Sequence, residues 1–535
     1  MDVIEIGNDL SAMDIHKVAH GQVKVSLPNH LKSNVQAAYR HLQQAVQNGE
    51  TIYGVTTNFG GMAKQNISSE YASFIQENLL KGLKCGVGKR LPVIHVRAAM
   101  LILANALSKG VSGIRFELIE RIILFLNADI TPIIYDCGSI GASGDLIPMS
   151  YIAGCIIGLS SDYKLLTGSG KKINALSALK QLGLKPLTLH PKEGLALVNS
   201  TAMMTGIAIN CVEQFKFLFE LSLTINAFFF QALQGNIQSL DPFVHQCKPH
   251  PGQIFVAAQM RELLSDSKFV ANHSKKNKKA SLVQDRYSIR CLAQYLGVIA
   301  DGLGMISKHA EIEANSATDN PLIDESQGKI FHSGNFLGEY IGVGMDQLRY
   351  YLGLLIKYLD VQIAMLVSPE FNNGLPDSLH VDENNPVKFG LKGLQICANS
   401  LMPLILHQAN PIAPLYPTHA EQFNQNINSQ GFSSAVLAWK ALDLAKSYLS
   451  ISLIFAIQAV DLRCHEELGN YNTCDYLSPS LTALYETVYK LIGAKPNSER
   501  PLINSKNPLS IDQYIKHLYN DLSLYKGELF QAISD

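Results

Sequence analysis

The chain has 535 residues, 47% apolar and 17% charged, which allows a sizeable buried core and argues against disorder. Lys and Arg total 44 against 45 Asp and Glu, and a net charge of −1 argues against an electrostatic partner such as nucleic acid or an anionic membrane. Nine cysteines with no CxxC pair read as reduced, packed thiols rather than a zinc or disulfide framework, and the acidic start MDVIEIGNDL lacks the pattern of a secretory signal, so a cytoplasmic location is expected.

Residues 1–60 read as short strands and turns, with TIYGVTTNFGG carrying β-branched residues into a glycine-containing loop. Helical patterns follow over Ser69 to Leu83, Val93 to Leu107 and Phe116 to Asn127, and another starts near Leu146. YKLLTGSGKKINA predicts a hairpin; its Gly168, Ser169, Gly170 and Lys171 lack the spacing of a phosphate loop and read as its turn. Beyond Lys192 come long helical stretches: Ser200 to Gln234, Ile289 to Asn315, Met345 to Val367 and Ser433 to Leu462. Thirty helical residues make a rod of about 45 Å, and rods that are apolar on several sides pack into bundles or against other subunits. Ala202 to Phe230 is interrupted by Glu213, Lys216 and Glu220, and Ser447 to Val460 is too short to span a bilayer, so no membrane segment is expected. Lys275, Lys276, Lys278 and Lys279 read as a solvated loop. Polar, glycine-bearing connections between the rods are where sites are expected, because their many amides need partners.

The stretch GSIGASGDLI stands out because Ala142, Ser143 and Gly144 replace the bulk that packing would favour. Read alone it is a turn ahead of a helix. Gly141 and Gly144 also allow a tight fold-back. Attack of the Gly144 nitrogen on the Ala142 carbonyl carbon, followed by loss of two waters, one of them carrying the Ser143 hydroxyl oxygen, would leave a methylene conjugated to an imidazolone. That product is an electrophile, which none of the twenty side chains supplies.

The motifs YGVTTNFGG, GSIGASGDL, LVNST, QDRYSIRC, TDNPLI, GNFLG and EQFNQNINSQG, in that order over nearly the whole chain, resemble those of the aromatic amino-acid ammonia-lyases, and most of all the bacterial phenylalanine ammonia-lyases. The resemblance implies a 4-methylidene-imidazol-5-one (MIO) group formed from Ala142, Ser143 and Gly144, with no metal. It also implies a mainly α fold, a long-helix bundle core over residues 196–535 with a smaller mixed N-terminal MIO-bearing domain over 1–195. The partners it implies are a small amino-acid substrate and further copies of the chain in a homotetramer with shared active sites.

Residue by residue, the resemblance makes Tyr53 the base that removes a β hydrogen, a task that requires its phenolate to be stabilised. Tyr287 completes the active site by folding over it. Arg290 is the carboxylate clamp, which its planar guanidinium suits. Gly60, Asn199, Gln284, Asn320, Phe336, Lys392, Glu421 and Asn424 match substrate-contacting positions, as do Asn335 and Gln425. Glu421 would accept a proton from the substrate amine. Gly82 and Leu83 occupy the family's selectivity pair, where phenylalanine-type enzymes carry Phe-Leu and tyrosine-type enzymes His-Leu; glycine there opens space over the substrate ring. Asn58 replaces a common family glycine. The activity implied is elimination of ammonia from an L-aromatic amino acid, phenylalanine first. The alternatives are a 2,3-aminomutase or an inert helical assembly protein on the same scaffold. A serine hydrolase lacks a GxSxG elbow, and none of the sixteen histidines lies in HExxH.

Overall fold

Helices dominate, and most lie where the sequence places them. The computed structural model describes residues 2–270, 284–381, 389–416, 418–504 and 509–534. The lysine cluster at 275–279 lies outside the described residues. Helices run over Val93–Ser108, Phe116–Asn127, Leu146–Ile157, Ala202–Ala232, Leu292–Ala314, Glu339–Val367 and Gly431–Leu468. The predicted hairpin is present, Lys164–Leu166 pairing antiparallel with Lys172–Asn174. Val93–Ser108 is buried at nearly every position, so its apolar residues form no stripe. Leu146–Ile157 stops at Gly158, whose φ of 70° needs a residue without a Cβ.

Three expectations change. Residues 1–60 hold two helices rather than only strands and turns. Ala12–Ala19 starts from a capping box in which the Ser11 and Asp14 side chains each accept from the other's backbone N–H. Leu31–Gln47 buries Val35, Ala38, Leu42, Ala45 and Val46 along one face. The Ser69–Leu83 stretch is broken into a 3₁₀ turn at Ser69–Tyr71 and a helix at Phe74–Leu83. Ser447 to Val460 is the interior of a 38-residue helix. Glu193–Ala232, Glu339–Val367 and Gly431–Leu468 are therefore each long and apolar enough to cross a membrane; 100%, 56% and 94% of their most apolar windows are buried inside the protein.

By internal contacts the chain forms two units. The first comprises Met1–Glu213, Ile306–Gln347 and Pro411–Trp439; the second comprises Gln214–Met305, Leu348–Asn410 and Lys440–Asp535. Every strand among the described residues belongs to the first unit. There, Ile52 and Val55 pack with Ala38, Leu42, Ala45, Val46 and Ile323, and Ile330 covers this cluster. Tyr53 is thus pinned between two buried neighbours, beside the antiparallel pair Leu322–Asp324 and Lys329–Phe331.

The second unit holds two buried charges two residues apart on the Gly431–Leu468 helix. Arg463 donates to the carbonyl oxygens of Ala232, Asn372 and Asn373 at 2.8 to 3.1 Å and to Glu466 at 2.8 Å. Asp461 accepts from the hydroxyls of Thr473, Tyr485 and Tyr489 and from the Leu502 N–H at 2.5 to 2.9 Å. Burial pushes its carboxyl up to about 6, against the pull of those four donors. An Asp461→Ala chain leaves these donors without their acceptor in a dry site, and a loss of about 2–4 kcal/mol is expected in urea unfolding. A loss below about 1 kcal/mol would show that the donors find other partners.

Candidate active site

The Ala142-Ser143-Gly144 segment is held on both flanks. Gly141 and Gly144 take φ values of 69° and 63°. A Cβ on Gly144 would lie 2.7 Å from the Ser200 nitrogen, so the surrounding backbone admits only glycine there. The Gly144 N–H donates to the Phe336 carbonyl oxygen, and the Asp145 N–H to that of Ser200, both at 2.8 Å. Asp145 is fully buried; it accepts from the Ser139 hydroxyl at 2.8 Å and from the Met204 N–H at 2.7 Å. It therefore fastens the loop to the first turn of the Ala202–Ala232 helix. Burial pushes its carboxyl up to about 7, against those two donors. On the other flank the Ser429 hydroxyl donates to the Gly141 carbonyl oxygen at 2.9 Å, and the Gln425 amide donates to the Ser143 Oγ at 3.1 Å.

Ser143 opens into a cavity of about 360 Å³ within the first unit. Tyr53, Asn199, Asn320, Glu421 and Asn424 supply its polar wall, and Phe59, Leu79, Leu83, Leu146, Leu195 and Phe336 its apolar wall. One wall can hold an aromatic ring and the other its charged end. The Asn199 amide donates to the Asn320 carbonyl oxygen at 3.2 Å, joining segments 121 residues apart. Behind them the fully buried Lys192 pairs with Asp319.

The Tyr53 phenol oxygen accepts the Gly60 N–H at 2.9 Å. A Cβ on Gly60 would collide with the Glu421 carboxylate, so glycine is what lets phenol and carboxylate approach the same turn. Burial raises the Tyr53 pKa above the ordinary tyrosine value; the Gly60 N–H works against that rise, and the Glu421 charge adds to it. Glu421 is likewise raised by burial, while the Asn424 and Gln425 side chains draw it down. Asn58 accepts the Phe59 N–H at 2.9 Å and donates to Gln65 from both its side-chain amide and its backbone N–H, closing the loop without glycine.

The cavity thus gathers Tyr53, Leu83, Ser143, Asn199, Asn320, Phe336, Glu421 and Asn424, with Gly60 against Glu421. Ala142 and Gly144 are buried beside Ser143. Gly82 is exposed, and a Cβ built on it meets nothing within 4 Å. Gln284, Tyr287, Arg290 and Lys392 belong to the second unit and do not line this cavity. Tyr287 is 71% exposed, with the Arg290 guanidinium 4.7 Å above its ring. It lines a larger apolar cavity of about 670 Å³ with Tyr295, Tyr358 and Met365, which holds none of the Ser143 chemistry. Lys392 lies 3.8 Å from Asp377.

Phe59, Leu79, Leu146, Leu195 and Ser333 line the cavity without having stood out in the sequence, and two further features escaped that reading. Glu421, Gln422 and Phe423 take consecutive φ values of 50°, 53° and 63°, a left-handed turn built without glycine, and this turn presents Glu421 to the cavity. Non-glycine residues held this way cost about 1–3 kcal/mol each, which concentrates them at functional sites. His332 also lines the cavity. Its only sequence signal is its position four residues before Phe336.

The family model of aromatic amino acid lyases matches residues 10–490. The chain is 49% identical to the phenylalanine ammonia-lyase of Nostoc punctiforme, over 99% of this chain and 94% of that one. It is 41% identical to an aromatic ammonia-lyase of Loktanella atrilutea, over 93% and 91%. Among solved structures it superposes on the phenylalanine aminomutase of Pantoea agglomerans with a TM-score of 0.88 at 30% identity, covering 99% of this chain and all of that one. With its helical fold and a cavity built around Ser143 and Tyr53, the chain belongs to the aromatic amino acid lyase family.

Proposed function

We propose that this enzyme eliminates ammonia from an L-aromatic amino acid, phenylalanine first, to give the arylacrylate. One observation carries this reading: a single cavity faces Ser143, Tyr53 and Glu421 with a wall of leucine and phenylalanine. The glycine-only packing at Gly144 fits an MIO group made from Ala142, Ser143 and Gly144. Once formed, that group supplies an electrophile that makes the substrate amine a better leaving group. Tyr53 takes the β hydrogen, Glu421 accepts a proton from the amine, and Asn199, Asn320 and Asn424 orient the substrate. Arg290 grips the carboxylate, Tyr287 closes over the site, and Gln284 and Lys392 contact the substrate; in a homotetramer, neighbouring copies bring these four to each cavity. The free thiols at all nine cysteines support a cytoplasmic, reducing location.

A panel of phenylalanine, tyrosine, histidine, tryptophan and ring-substituted analogues, read by near-ultraviolet absorption and product analysis, tests the proposal. Arylacrylate from phenylalanine is the expected product. The match to an aminomutase fold keeps a 2,3-aminomutase as the second reading, and a β-amino acid product would establish it.

Open space at Gly82 makes Gly82→Phe sterically free. The added ring is expected to shift kcat/KM toward phenylalanine over larger substrates by roughly 3–10-fold, in the range of hydrophobic-pocket discrimination. An unchanged preference would show that this position does not shape the pocket.

A further inference from the structure

We propose that His332 is a positioning residue that fixes the backbone of Tyr53, and so sets where the phenol stands over the substrate. The inference deepens the lyase reading and rests on it for the role of Tyr53.

The Tyr53 N–H donates to His332 Nε2 at 3.2 Å, across 279 residues of sequence. The next residue, Ser333, donates its N–H to the Asn320 Oδ1 at 2.7 Å. His332 and Ser333 therefore form a two-residue bracket, one arm on the Tyr53 segment and the other on the Asn320 segment. The bracket follows directly on the Lys329–Phe331 strand, whose partner carries Ile323; Ile323 and Ile330 pack on Ile52 and Val55 on either side of Tyr53. The apolar cluster sets the distance between the two segments, and the imidazole sets the orientation of the tyrosine peptide plane. Both His332 and this hydrogen bond are exposed, so the imidazole holds the tyrosine peptide in competition with water, with Nε2 as the acceptor. The titratable groups that line the cavity with it are Tyr53 and Glu421.

Two variants separate positioning from bulk. His332→Gln places an amide oxygen near the Nε2 position and keeps the acceptor; His332→Leu fills the space without one. The expected result is a fall in kcat on the order of 10–100-fold for His332→Leu, with KM changed less than about twofold, the cost of a misplaced reacting group. His332→Gln is expected to stay within about threefold of the parent. In parallel, amide hydrogen exchange followed by mass spectrometry on the peptide containing Tyr53 should show protection in the parent and in His332→Gln, and faster exchange in His332→Leu. Equal activity in both variants and the parent, a loss confined to KM, or unchanged exchange in His332→Leu overturns the proposal. Exchange is read without turnover. A parent chain inactive on every aromatic amino acid would therefore sink the lyase reading while the exchange arm still tests the bracket.

Discussion

A Ser143→Ala chain is expected to lose turnover of aromatic amino acids by on the order of 10⁴-fold or more while keeping the parent fold. The substitution removes one oxygen from a half-buried side chain whose bond comes from the Gln425 amide. Alanine is smaller than serine and meets no new neighbour, so stability should change by no more than about 1 kcal/mol. What is lost is chemical. Without the hydroxyl, the segment cannot shed the second water, whose loss creates the exocyclic methylene that makes the ring an electrophile. Intact mass is the direct readout: the parent chain should weigh less than its translated sequence by two water molecules, and Ser143→Ala should not. The neighbours of the segment hold it in place. Gly144 sits against Ser200 with no room for a side chain, its N–H is committed to the Phe336 carbonyl, and Asp145 is locked to Ser139 and Met204. A Ser143→Ala chain with parent-like turnover, or a parent chain of unreduced mass, would remove the electrophile from the account.

How much of this was legible follows from what each residue type can reveal by itself. The long helices were visible because runs such as Val93–Ser108 are apolar on every face and have few ways to satisfy a backbone other than a helix. The Leu31–Gln47 helix was missed because its apolar residues are spread among glutamine, asparagine, arginine and histidine, and burial of one face rather than composition makes it a helix. In the site, Tyr53, Ser143 and Glu421 stood out only through motifs and their resemblance; alone, each is an ordinary residue of its kind. The left-handed turn at Glu421, Gln422 and Phe423 leaves no trace in sequence, since none of the three is a residue that positive φ favours. Leu79 and Leu195 are indistinguishable from core leucines until the cavity places them opposite Ser143. His332 acts through one nitrogen on a backbone 279 residues away, and no local pattern records that.

Tyr53→Phe should lower kcat by about 10³-fold with a much smaller change in KM, the usual scale for removing a positioned base. The ring remains to fill its place and only the oxygen goes, so the Gly60 N–H loses its acceptor but the loop keeps Ile52 and Val55 in their cluster. The pH dependence identifies the oxygen more sharply than the rate does. Burial and the Glu421 charge raise the Tyr53 pKa above its ordinary value, and the Gly60 N–H offsets only part of that rise. Near neutral pH most of the phenol is therefore protonated, and the basic form grows as pH increases. The parent enzyme should gain kcat/KM on the alkaline side by about tenfold per pH unit while one proton must be lost, until it levels off or the fold fails. In Tyr53→Phe that limb should disappear. In Glu421→Gln, whatever its overall rate, the limb should move to lower pH, because removing a negative neighbour makes the phenolate easier to form. An alkaline limb that survives in Tyr53→Phe would assign the base to another group, and one that stays in place in Glu421→Gln would show that the two side chains do not sense each other across the Gly60 turn.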